Sequence, residues 1–184
     1  MRALTMAVFG WPTALTLALS AGYAHASTVL TINANLTTTP CTLSSPTVVL
    51  GRVPIIEFGP NGAMGANYTK DFSLTIGDCE LTTLRSASLT FTGTVVSQLP
   101  DATGLALTPV SGVAQGIAIT LKNNDPIHGT LGQNISFNGL VSYPLDVASG
   151  KTTFELRAAY ARIPGATVVP GPASSSVLVT ISYS

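Results

Sequence analysis

Residues 171–184 read Gly-Pro-Ala-Ser-Ser-Ser-Val-Leu-Val-Thr-Ile-Ser-Tyr-Ser. After the Gly171-Pro172 break, one face carries Ala173, Ser175, Val177, Val179, Ile181 and Tyr183. The other carries Ser174, Ser176, Leu178, Thr180 and Ser182, which are mostly hydroxyl. Side chains of an extended chain alternate between faces, so this period of two marks a strand with one face buried and one wet. The expectation is an edge strand with one side left open for a partner. Charged residues and prolines commonly blunt such edges, and neither occurs from Val177 to Ser184.

Similar runs recur upstream. Thr28 to Leu36 places Thr28, Leu30, Ile32, Ala34 and Leu36 on one face, and Thr47 to Leu50 is a short β-branched run closed by Gly51. Phe72, Leu74 and Ile76 alternate before Gly77-Asp78-Cys79, and Ser88 to Val96 aligns Leu89, Phe91 and Val95. Ile117, Ile119 and Leu121 share a face, as do Phe154, Leu156, Ala158 and Tyr160. No window carries a helical period, and Pro54 to Asn67 is expected to be irregular or to hold a short helix at most. About seven short strands separated by Gly, Pro, Asn and Asp predict an all-β antiparallel sandwich.

The first 26 residues have another logic. Arg2 precedes a run of small and apolar residues, and Ala24-His25-Ala26 forms a small-x-small cleavage site. That pattern is a secretory signal peptide, removed to leave Ser27 at the mature N-terminus. The expected division is 1–26 signal, 27–38 N-terminal extension and 39–184 sandwich domain. Lys and Arg number 8 against 8 Asp and Glu, so no basic surface is available for nucleic acid. Polarity comes from Ser, Thr and Asn instead of ions. Cys41 and Cys79 are the two cysteines, and in an exported protein they are expected to pair. A loop of that length contributes about 4 kcal/mol in the chain-entropy account.

Together these features resemble the chaperone–usher fimbrial subunits, the pilins. The resemblance rests on Gly171 and Tyr183 near the C-terminus, the two cysteines and the signal peptide. It rests also on the runs Phe72-Ser73-Leu74-Thr75-Ile76-Gly77-Asp78-Cys79, Phe91-Thr92-Gly93-Thr94, Gly116-Ile117-Ala118-Ile119 and Leu156-Arg157-Ala158-Ala159-Tyr160. It implies an incomplete immunoglobulin-like β-sandwich lacking its seventh strand. The groove beside the C-terminal strand would be formed with Gly171, Val177, Val179, Ile181 and Tyr183. A periplasmic chaperone strand would fill it first, and then the N-terminal donor strand of a neighbouring pilin would replace it. This chain's own donor face would be Thr28, Leu30, Ile32, Ala34 and Leu36. Pilin donors commonly carry Gly where Ala34 stands, which asks for a roomier recipient pocket. The short extension before Cys41 is more like that of minor or adaptor subunits than that of shaft pilins.

By the same resemblance, the chain is expected to be a structural, non-enzymatic subunit of a fimbria that supports cell adhesion. Its partners would be a periplasmic pilus chaperone, an outer-membrane usher and neighbouring pilins, with a host receptor met only through the assembled fibre. It would use no cofactor and no metal, and would pass through the periplasm to an extracellular fimbrium. The competing reading is a tip adhesin or a secreted carbohydrate-binding module, against which stands the lack of any Trp after Trp11. A hydrolase would need His128 as its base, and no Gly-x-Ser-x-Gly elbow accompanies it. His128 is expected in a turn, Asp78 and Glu80 at a solvated loop end, and Arg85 as an exposed charge.

Overall fold

The computed structural model describes residues 41–58 and 68–184. Seven strands are found among them. These are β1 (Thr42–Leu43), β2 (Thr69–Gly77), β3 (Ala87–Thr92), β4 (Ile117–Asn123), β5 (Tyr143–Leu145), β6 (Thr153–Arg162) and β7 (Leu178–Tyr183). One sheet has the order β1-β2-β6-β4 and the other β5-β3-β7, with every pairing antiparallel. The all-β sandwich expected from the sequence is therefore the observed architecture.

Alternation sets which residues meet in the core. Leu74 and Ile76 of β2, Leu121 of β4, and Phe154, Leu156 and Ala158 of β6 face Leu89 and Phe91 of β3 and Tyr143 and Leu145 of β5. Phe91 joins the two layers. Its ring meets Tyr143 edge-on at 5.6 Å and Phe154 at 6.5 Å, separations at which aromatic pairs attract beyond simple burial. A second cluster of Phe58, Ala114, Ile117 and Tyr160 closes the end of the sandwich where β6 finishes.

The opposite end is tied by the Cys41–Cys79 disulfide, beside the Thr42–Gly77 register pair. Near it lies a buried polar knot. The Asp125 carboxylate accepts from the backbone N–H groups of Ile127 (2.8 Å), His128 (3.1 Å) and Glu155 (3.0 Å), and from Lys151 Nζ. Burial alone would raise this carboxyl, but those three amides and the Lys151 ammonium outweigh it and hold it below its ordinary range. His128 does lie in a turn, but its ring is fully buried and stacked on Phe154. Nδ1 accepts from Asp146 N and Nε2 donates to the Lys151 carbonyl. The sequence offers no sign of this burial, because the partners are distant in the chain.

Several strand boundaries differ from expectation. Thr47–Leu50 is in no sheet, Val95 lies beyond β3 in an isolated bridge to Leu105, and β1 and β5 were not foreseen. β1 and β5 have two and three residues, too few to show a period. The 3₁₀ turn at Ile55–Glu57 is the short helix allowed for in the Pro54–Asn67 segment.

Candidate assembly groove

β7 has one partner among the described residues. It pairs with β3 from Thr92–Leu178 to Ala87–Tyr183, and no described strand runs along its other edge. The consequence appears in its inner face. Val177, Val179, Ile181 and Tyr183 are half-buried, although they pack against the main core. On β3, which is paired on both sides, the inward residues Ala87, Leu89 and Phe91 are buried, the last two completely. The same alternation thus gives full burial on an inner strand and only half on the edge. A sandwich layer one strand short produces that difference.

Along the open edge runs a cavity of about 1190 Å³. Leu74, Phe91, Leu121, Leu156 and Ala158 form its apolar floor, and Val177 and Val179 form one wall. The opposite wall is the segment from Leu43 to Val53. It leaves β2 after Ser44, whose N–H donates to the Thr75 carbonyl at 2.8 Å and whose Oγ accepts from Thr75 N at 2.7 Å. From there to Val53, no backbone hydrogen bond to another described residue is made. On both sides of the gap, then, backbone runs without a ladder partner among the described residues. An edge with no described ladder partner and the half-buried inner face of β7 favour uptake of an apolar strand.

The segment before β7 is anchored on its far side. Gln115 pairs with Val169, Ala114 N donates to the Pro172 carbonyl, Thr108 N to the Ser174 carbonyl, and Ser175 Oγ to the Ala106 carbonyl. Tyr160, whose hydroxyl is pushed up by burial, donates to the Ala173 carbonyl at 3.2 Å. Gly171 is required by this approach. A Cβ there would strike the Gly112 carbonyl oxygen and Ala114 N.

Of the residues singled out in the sequence, Gly171, Val177 and Val179 line the cavity, while Ile181 and Tyr183 continue the same face beyond its end. Cys41 and Cys79 are bonded. The donor face Thr28, Leu30, Ile32, Ala34 and Leu36, and the leader ending at Ala26, lie outside the described residues. Sequence reasoning missed the Leu43–Val53 wall. The only signal was the apolar run Val48-Val49-Leu50, which suggested a paired strand.

A family model described as fimbrial protein matches residues 27–184. Among curated relatives, a type-1 fimbrial protein subunit of Serratia marcescens is 30% identical over 150 residues, covering 78% of this chain and 79% of the relative. The probable major fimbrial subunit LpfA of Escherichia coli O157:H7 is 28% identical over 148 residues, covering 78% and 76%. Among solved structures, the P pilus rod subunit PapA shares the fold, with a TM-score of 0.60 at 20% identity over 84% of this chain and 98% of that one.

Proposed function

The chain belongs to the fimbrial protein family, and from that premise we propose that the groove beside β7 is where it accepts a strand from another polypeptide. It is a structural subunit of a bacterial fimbria, assembled by donor-strand exchange through a periplasmic chaperone and an outer-membrane usher. Strand addition to an open sheet edge is a known mode of recognition, in which ladder hydrogen bonds supply affinity and alternate side-chain pockets supply specificity. The family is one of structural proteins, exported and built into an extracellular fibre, and this reading assigns the chain no catalysis.

The residue assignments are part of the proposal. The incoming strand lies between the unpaired outer edge of β7 and the Leu43–Val53 wall. Its apolar face covers Val177 and Val179, with Ile181 and Tyr183 extending the contact. The donor is the segment 27–36 of a neighbouring copy or of a related subunit, freed by cleavage after Ala26, and its residues Leu30, Ile32 and Leu36 fill the floor. Each of these gains roughly 1.5–3 kcal/mol on burial. The observation that carries this reading is the half-burial of the inner face of β7 beside an open apolar cavity.

Deletion of Ser27–Leu36 tests it. The shortened chain still co-purifies with its chaperone, because the groove is intact, but it donates to no neighbour and builds no fibre alone. Fibres of normal length from the deleted chain alone would refute the assignment of the donor.

A further inference from the structure

The two ends of the sandwich are unlike. At one end are the disulfide and Cys41, where residues 27–40 join the domain. At the other end Phe58 packs on Tyr160, with ring centroids 6.5 Å apart. Thr69 at the start of β2 pairs with Ala159, so the two ends lie a strand length apart, about 27 Å at 3.3–3.4 Å per residue. The 3₁₀ turn Ile55–Glu57 stands at this second end, immediately before Phe58. Ile55 lines the cavity and is 45% exposed, while Ile56 beside it is 86% exposed. A large aliphatic side chain in such exposure, at the mouth of a strand-accepting groove, is where a covering partner would gain most.

The length of the donor tail identifies that partner. An incoming strand can run parallel or antiparallel to β7. If it ran parallel, its Leu36 end would lie beside Tyr183, and the donor's body would meet the end from which the recipient's own tail leaves. That contact is end-to-same-end and cannot repeat along a fibre. If it ran antiparallel, Leu36 would lie beside Val177. The five steps from Leu36 to Cys41 reach at most about 18 Å, which puts the end of the recipient where Ile55 and Ala173 line the same cavity as Val177 within range of the donor's disulfide end. Only this head-to-tail arrangement propagates, as heterologous interfaces must. The donor's end is also apolar, because Ile127 (46% exposed) and Leu131 (60% exposed) stand on the loop that follows β4 there.

We propose that the Ile55–Ile56 turn is a second docking surface, separate from the groove, on which the disulfide end of the donating copy of this chain seats once its tail is inserted. This rests on the strand-accepting reading and adds a body-to-body contact to it. The contact stiffens each joint and slows its opening.

The test compares two occupants of the same groove in the full mature chain. One is a dye-labelled peptide of residues 27–36, which fills the groove and brings no body. The other is a second full-length copy, followed by exchange with a labelled chain. In Ile56→Asp, the copy dissociates about tenfold faster than in wild type while the peptide leaves at the wild-type rate. The exposed position keeps the thermal midpoint unchanged, and Leu131→Asp in the donating copy gives the same acceleration. An unchanged exchange rate in Ile56→Asp overturns the proposal. So does equal acceleration of the peptide, which would place the effect inside the groove. A wild-type groove that takes up no peptide overturns the strand-accepting reading, and this inference with it.

Discussion

Val179→Asp separates the groove from an ordinary edge. Val179 pairs with Phe91 in register, faces the cavity and is only half-buried. In the unfilled chain the introduced carboxyl therefore keeps access to water, and folding stability falls by about 1 kcal/mol for the lost apolar contact. With the groove filled, the same group is enclosed between an apolar floor and an apolar strand. A lone carboxylate there takes up a proton instead of staying charged. Protonating an Asp of ordinary pKa, about 3.9, at pH 7 costs about 4 kcal/mol at 1.36 kcal/mol per unit. With the lost Val burial, strand affinity falls by about 5 kcal/mol, roughly 10³–10⁴-fold. The sign with pH is then fixed, since at pH 5 the proton costs only about 1.5 kcal/mol. Binding should recover about 60–100-fold relative to pH 7, while wild type changes little. Fluorescence anisotropy of a labelled 27–36 peptide at the two pH values measures both. An affinity unchanged at pH 7, or a loss that does not depend on pH, would refute the enclosure argued here.

Asp125→Ala leaves three backbone amides and the Lys151 ammonium without their acceptor, and chemical denaturation should show a loss of about 3–5 kcal/mol. Because the Asp125 carboxyl is held below its ordinary value by those partners, its contribution is complete above pH ~4 and disappears as pH falls through the lower folded value; Asp125→Asn should lack that acid-side decline. Gly171→Ala pushes a methyl into the Gly112 carbonyl, so the segment leading to β7 must shift. The expected cost is about 1–3 kcal/mol together with weaker peptide uptake, read by the same denaturation and anisotropy measurements.

The short strands β1 and β5 and the Leu43–Val53 wall were not legible, for different reasons. A strand of two or three residues has no period to read. The wall has the composition of a strand, but beyond Ser44 it has no ladder partner among the described residues. His128 and Asp125 look like loop residues in the sequence because their turn contains Pro126 and Gly129. They are buried because Lys151, Asp146 and Glu155 come round from elsewhere in the fold.

Periodicity along single segments determined β2, β3, β4, β6 and β7, since alternation is a local property of an extended backbone and needs no knowledge of neighbours. Those runs, with the paired cysteines and the Gly171–Tyr183 spacing, carried the sandwich and the family. Whether an alternating strand is central or left at an edge depends on what lies about 4.8 Å to either side of it, one ladder spacing away, and that is decided by contacts between residues far apart in sequence. Only the tertiary structure places β7 beside β3 with no other described strand along its far edge, and sets the Leu43–Val53 segment on the other side of the apolar cavity.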